Sequence, residues 1–166
     1  MKVGLTLGSN VGDRLRHLQT AKRYLISLST AHWHCASPVY ETEPVDCVPE
    51  SPRFLNAVLE IECDGAPRSL LEKILAYELA HGRDRSSGVN SPRTIDIDIL
   101  YFGDQTVVEP DLMVPHPRLA QRRFVLLPLS TMQPELIVPG TGKTVAALLR
   151  ELPGRSEDVK LLQQEW

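Results

Sequence analysis

The sequence predicts an α+β chain with the element order β-α-β-β-α-β. Three stretches alternate apolar and other residues, or opposite faces, with a period of two: Lys2 to Leu7, Phe54 to Cys63 and Ile95 to Ile99. Two further stretches carry leucines and isoleucines at helical spacing, one after Gly8-Ser9-Asn10 and one after Asp64-Gly65. The chain is read as one domain over residues 1–166, long enough to bury a core, with a polar and loosely ordered tail after about Pro153.

The first strand sets Val3, Leu5 and Leu7 against Gly4, Thr6 and Gly8, so one face is core and the other almost bare. Asn10 or Asp13 then caps a helix running to about Leu28, with Leu15, Leu18, Leu25 and Leu28 at its apolar spacing. His32 to Tyr40 reads as a second strand, with an irregularity at Pro38, and the aperiodic stretch from Thr42 to Pro52 as a loop of lid-like length. His32 and His34 share a face but have no third ligand nearby. In the third strand Leu55, Ala57, Leu59, Ile61 and Cys63 face one way, and Phe54, Asn56, Val58, Glu60 and Glu62 the other. Phe54 and Asn56 thus share a surface with a ring and an amide, which suits a flat heterocycle as well as a routine strand surface.

Pro67 opens the second helix, which runs to about His81 and closes at Gly82. Its stripe is Leu71, Ile74 and Leu75 with Glu78. A carboxylate on a core-facing stripe needs a partner, and Arg83 and Arg85 follow directly. Ser86 to Ser91 is polar and reads as a mobile loop into the last strand.

That strand carries the chemistry. Ile95, Ile97 and Ile99 point to the core, leaving Asp96 and Asp98 together on the other face, roughly 6–7 Å apart. Two carboxylates so close resist ionising unless a cation lies beside them, and magnesium suits hard oxygen ligands shared with phosphates. Arg83, Arg85, Arg93, Arg118, Arg122 and Arg123 cluster around this pair, with a helix expected from Pro117 to carry Arg118 and Arg122 on one face. Guanidinium binds phosphate oxygens bidentately, so the set points to phosphoryl transfer. Gly140-Thr141-Gly142-Lys143-Thr144 imitates a phosphate-binding loop, but Ile137 stands where its first glycine belongs. It reads as a turn before a helix from Val145 to Leu152.

A net charge of −3 and an aromatic content of 5% disfavour a nucleic-acid-binding module. A two-metal phosphodiesterase needs further ligands, for which His116 is the obvious candidate. Cys35, Cys47 and Cys63 form no C-x-x-C, which argues for a reducing compartment and against a disulfide framework. Without a signal-like or membrane-spanning run, the expectation is a cytoplasmic protein.

Gly8-Ser9-Asn10, Tyr40-Glu41-Thr42, Phe54-Leu55-Asn56-Ala57, Glu78 with Gly82-Arg83-Asp84-Arg85, Pro92-Arg93-Thr94-Ile95-Asp96-Ile97-Asp98-Ile99-Leu100 and Val114-Pro115-His116-Pro117-Arg118 occur in that order. Together they resemble the 6-hydroxymethyl-7,8-dihydropterin pyrophosphokinase family of folate synthesis, from the first strand to about Pro139. The resemblance implies a ferredoxin-like α+β sandwich, a mainly antiparallel sheet with helices packed on it. It implies transfer of diphosphate from ATP to the pterin hydroxymethyl group, giving AMP, with two Mg2+ ions held by Asp96 and Asp98. Arg83 and Arg93 would act with them in catalysis, and Arg85 would join these arginines at the ATP phosphates. Glu78, Ile99, His116 and Arg122 would complete the ATP site. Phe54 and Phe124 would sandwich the pterin, with Asn56, Thr42, Glu43 and Val45 at its edge. The implied enzyme is a monomer acting on small molecules, without nucleic-acid or membrane partners. The chain departs from the family at Val89-Asn90-Ser91, where many members carry a Trp, and at Leu75, where many carry a Gln.

Overall fold

The computed structural model describes residues 1–31, 33–44, 51–83, 93–154 and 159–166. Strand β1 (Lys2–Ser9) lies at the heart of the sheet, between β4 (Phe54–Glu62) and β5 (Asp96–Phe102), antiparallel to both. The far edge of β4 takes two short strands in succession, β2 (His34–Ala36) and β3 (Val39–Thr42). The single strand expected over His32 to Tyr40 is therefore broken. Pro38 has no N–H to give the ladder, and Ser37 replaces it locally. Its N–H donates to Val58 O and its hydroxyl accepts the Val58 N–H, both at 2.9 Å. His32 lies outside the described residues.

One sheet face is covered by α1 (Arg14–Ser27) and α2 (Pro67–Ala80). Asp13 caps α1, accepting the Arg16 N–H at 3.1 Å, and Leu18, Ala21 and Leu25 pack onto the sheet. Pro67 begins α2 where its missing N–H costs nothing, and Gly82 follows its end at φ 83°, a conformation that favours glycine. The buried stripe of α2 is Leu70, Ile74, Tyr77 and Glu78, one residue round from the expected Leu71 and Leu75. Ile95, Ile97 and Ile99 enter this core with Val3, Leu5 and Leu7, as their alternation predicts.

The opposite face is buried as well, which the sequence reading does not anticipate. Val58 and Glu60 lie beneath α3 (Arg123–Met132) and α4 (Val145–Glu151) in a second core with Leu100, Tyr101, Leu126 and Leu129. A register slip between Gly4 and Leu5 builds it. Ile99 stands opposite Leu5 and Tyr101 opposite Gly4, so Leu100 is an extra residue and the side-chain phase reverses. Tyr101 therefore shares a face with Gly4, where its ring occupies the space of a side chain. Its hydroxyl donates to Glu60, whose other oxygen accepts from Gln133 at 3.0 Å.

Two further expectations change here, and one holds. The helix expected from Pro117 is instead a 3-10 turn, Leu119–Gln121, followed by α3. Arg122 between them is extended at φ −111°, ψ 109°. Arg118 and Arg122 are therefore not one turn apart on a helix, because the chain bends there to lay α3 on the sheet. Glycines 140 and 142 adopt φ 79° and 66° in a turn, and Thr144 caps α4 through the Ala147 N–H at 3.2 Å, in line with the turn reading. The polar tail, expected to be loosely ordered, contributes β8 (Val159–Gln163), which pairs with β3. A hairpin of β6 (Val107–Glu109) and β7 (Leu112–Val114) is tied to α2 by Arg68, which donates to Asp111 at 2.7 and 2.8 Å. Among the described residues, no helix is long and apolar enough to cross a membrane.

Candidate active site

At one end of the sheet four strand ends converge on the same face. Register sets Asp96 beside Gly8, Gly8 beside Asn56, and Asn56 beside Tyr40, while Asp98 lies beside Thr6. Adjacent strands are about 4.8 Å apart, so Asp96 and Asn56 flank Gly8 across about 10 Å. A Cβ on Gly8 would stand 3.1 Å from Asn56 Oδ1 and 3.8 Å from the Phe54 ring. The bare face of β1 thus has two uses: Gly4 admits Tyr101, and Gly8 opens the space between the acidic pair and the Phe54-Asn56 surface.

Asp96 is held by two arginines. Arg83 bridges Asp96 and Glu78, and Arg93 takes the other Asp96 oxygen. Glu78, 1% exposed, also accepts the Ile97 N–H at 2.8 Å, so the edge strand is fastened to the end of α2 by a side chain. Asn10 fastens Arg93 from the other side: its Oδ1 accepts the Arg93 N–H at 2.7 Å and its own N–H donates to Arg93 O at 3.1 Å. From sequence, Asn10 is a candidate helix cap and the end of the Gly8-Ser9-Asn10 motif, with nothing to tie it to Arg93. Asp13 is the cap, and the nearness of Asn10 to Arg93 depends on a contact 83 residues apart in sequence.

Asp98 is more open, its side chain 38% exposed, with Arg122 Nη1 and His116 Nε2 each 3.9 Å from Oδ2. Burial of its carboxyl, and then the charge of Asp96, raise its pKa to about 6 against the opposing pull of Arg122 and Arg83. His116 moves the other way, to about 4, by burial and by Arg122 and Arg118. It is therefore neutral at pH 7. Its Nδ1 accepts the Arg118 N–H at 3.1 Å, which leaves the ring proton on Nε2, facing Asp98.

The donor set suits a hard divalent cation. Two carboxylates share a face, one reluctant to ionise without a positive charge, and arginines beside them could hold phosphate oxygens. Among the described residues no group of three or more His, Cys, Asp or Glu is arranged to hold a metal, so a cation here would draw its remaining ligands from substrate and water.

On the other side, Asn56 Nδ2 donates to Thr42 Oγ1 at 2.7 Å, and Thr42 lies opposite Phe54 in the ladder. A cavity of about 290 Å3 opens there, lined by Thr42, Glu43, Gln121, Arg122, Arg123, Phe124, Pro153, Gly154 and Val159. Glu43 is half-exposed and paired with Arg53. Arg122 lies over the Phe124 ring, 5.4 Å from its centroid. Ile99 is buried in the core, so it offers a ligand only its main chain at the sheet edge. Arg85, Val45 and the Val89-Asn90-Ser91 departure lie outside the described residues. Leu75 is half-buried on α2. Pro153, Gly154 and Val159 also line the cavity, although no periodic signal in the sequence ties this tail to a sheet edge.

Residues 4–134 match the model of the 7,8-dihydro-6-hydroxymethylpterin-pyrophosphokinase family. The chain belongs to this family. A Pseudomonas aeruginosa 2-amino-4-hydroxy-6-hydroxymethyldihydropteridine pyrophosphokinase is 36% identical over 152 residues, 92% of each chain. The Bacillus subtilis protein of the same name is 39% identical over 126 residues, 76% of this chain and 74% of that one. The folic acid synthesis protein fol1 of Schizosaccharomyces pombe is also 36% identical, but this chain spans only 20% of its length. Among solved structures, wild-type HPPK-DHPS from Plasmodium falciparum superposes at a TM-score of 0.69 with 18% identity, over 90% of this chain and 43% of that one. That likeness bears on the fold, which is the ferredoxin-like α+β arrangement the family resemblance implies.

Proposed function

We propose that the chain transfers diphosphate from ATP to 6-hydroxymethyl-7,8-dihydropterin, giving AMP and the pterin diphosphate in folate synthesis. Family membership and the activity named for the P. aeruginosa relative support the reaction class. The observation that carries the reading is the sheet-end row, in which an arginine-flanked Asp pair and the Asn56-Thr42 amide pair are separated by Gly8. A diphosphate donor and a flat acceptor could meet across that gap.

In this reading the pterin hydroxymethyl oxygen attacks the β-phosphorus, the bond from that phosphorus to the α-phosphate oxygen breaks, AMP leaves, and the hydroxyl proton is released to water. Asp96 and Asp98 would hold two Mg2+ ions, which when bound neutralise the phosphate charge and acidify the attacking hydroxyl. Arg83 and Arg93, now on Asp96, would turn to the phosphates and steady the charge that builds on them. His116 would donate its Nε2 proton, and Arg122 its guanidinium, to the nucleotide, with Arg85, Glu78 and the Ile99 main chain around it. Phe54 and Phe124 would enclose the pterin ring, while Asn56, Thr42, Glu43 and Val45 read its edge. Rate enhancement would come mainly from orientation and charge. The reading includes a single catalytic unit over residues 1–166, monomeric and cytoplasmic, acting on free small molecules.

The test is a nucleotide assay with ATP, Mg2+ and the pterin, alongside Asp96→Ala and Asp98→Ala. AMP formed in step with pterin diphosphate, and lost in both variants, is the expected result. ADP as product, or no turnover by folded protein, overturns it.

A further inference from the structure

The tail that becomes β8 is held by ties the reaction does not require. β8 is five residues long and pairs on one side only, with Val159 opposite Thr42 and Leu161 opposite Tyr40. Leu161 and Leu162 are exposed, so little of the strand is secured by burial. Yet Val159 is buried and, with Pro153 and Gly154, forms a wall of the cavity that Thr42 and Phe124 also line.

Anchors at both ends hold that wall in position. Beyond β8, Trp166 packs against the main core, and its Nε1 donates to Ser37 O at 2.7 Å. Ser37 is itself locked to Val58 of β4 through its N–H and its hydroxyl. The Lys22 ammonium lies 4.5 Å over the Trp166 ring and donates to the Trp166 main-chain oxygen. Before the wall, Arg123 at the start of α3 donates to Leu152 O at 3.0 Å. Trp166 lines no part of the cavity, so its effect on the cavity is indirect.

We propose that Trp166 is a positioning residue for the pterin pocket. By pinning β8 along β3 it sets Val159 as a wall against the ring, and through the Val159-Thr42 pairing it sets the Thr42 hydroxyl that accepts from Asn56. The inference rests on the pterin reading of this cavity. Its effect falls mainly on one substrate by the topology. β8 and β5 are opposite edges with three strands between, about 19 Å apart, so Asp96 with Arg83 and Arg93 lies far from β8, and the nucleotide side is reached only through Arg122, which shares the cavity lining with Val159.

The experiment measures steady-state kinetics with pterin and ATP varied in turn, together with pterin binding by calorimetry and thermal unfolding. It compares the full chain, Trp166→Ala and Trp166→Phe. For Trp166→Ala, KM and Kd for pterin are expected to rise about tenfold, the equivalent of one lost hydrogen bond and its packing. KM for ATP and kcat should stay within about twofold. Trp166→Phe keeps a ring beneath Lys22 but loses the N–H, and is expected to fall between, at about threefold. Unchanged pterin binding in a folded Trp166→Ala overturns the proposal. So does a fall in kcat and in binding stoichiometry in proportion to the folded fraction with KM and Kd unchanged, which would mark a purely structural tie. If the unaltered chain neither turns over nor binds pterin, both this proposal and the proposed function are wrong. If it turns over and Trp166→Ala matches it, only this proposal is wrong.

Discussion

Replacing Glu78 tests whether a carboxylate buried behind the site holds the arginine in front of it. Glu78 accepts the Ile97 N–H at 2.8 Å and pairs with Arg83, which also reaches Asp96. In Glu78→Ala the Ile97 N–H loses its acceptor, at a cost of about 1–3 kcal/mol. Arg83 loses one of its two carboxylates. Breaking a buried pair costs about 3–5 kcal/mol, and the lower end applies because Asp96 remains. The two losses share one side chain and overlap, so the expected destabilisation is about 3–4 kcal/mol. Glu78→Gln keeps an oxygen for Ile97 and loses only the charge, for about 1–2 kcal/mol. Urea unfolding of metal-free protein, read by tryptophan fluorescence, gives both values from the midpoint at constant slope. In the AMP assay, an Arg83 drawn wholly onto Asp96 should lower kcat/KM for ATP about tenfold in either variant. An alanine variant within about 0.5 kcal/mol of the parent would refute the buried tie. A glutamine variant as damaged as alanine would refute the division between acceptor and charge.

The Asp98 carboxyl keeps its proton up to about pH 6, whereas an unfolded aspartate loses it near pH 4. Between those values the folded state binds more protons, so this group's contribution to metal-free stability is lost as pH rises through 6. The rise in Tm on adding Mg2+ should therefore be large at pH 7.5 and shrink on acidification through 6. Asp98→Asn should be more stable than the parent without metal at pH 7.5 and show no Mg2+ shift, as differential scanning fluorimetry can check. Gly4→Ala sets a methyl 2.2–2.8 Å from the buried Tyr101 ring, and should cost about 1–3 kcal/mol or more in urea unfolding. Gly8→Ala brings a methyl to 3.1 Å from Asn56 Oδ1; it should spare stability to within about 1 kcal/mol and raise the pterin KM several-fold.

The main core was legible because alternation along Lys2 to Leu7 and Ile95 to Ile99 has one physical cause, a strand with one face in hydrocarbon. Asp96 and Asp98 were legible for the same reason, being the residues left on the other face. The second core was not. Val58 and Glu60 share a face with the polar Asn56 and Glu62, and only the arrival of α3 buries them. Nor could Tyr101 be assigned to Gly4, since that pairing depends on an extra residue in β5 that alternation hides. The arginines announced an anion site, but which of them meet Asp96 depends on the ends of α2 and β5 coming together. β8 is not legible because a short edge strand with two exposed leucines is stabilised by its anchors and by β3, not by its own pattern.

The slip at Leu100 means that β5 is two half-strands spliced out of phase. Its first half turns carboxylates toward the open end of the sheet and isoleucines inward; its second half turns a tyrosine toward the side the carboxylates faced. An unbroken alternation would send Tyr101 to the crowded isoleucine side and leave the Gly4 hollow empty. The splice lets one edge strand serve a wet mouth and a dry interior on the same face within seven residues. Grafting the acidic pair onto another sheet would require moving that single inserted residue with it.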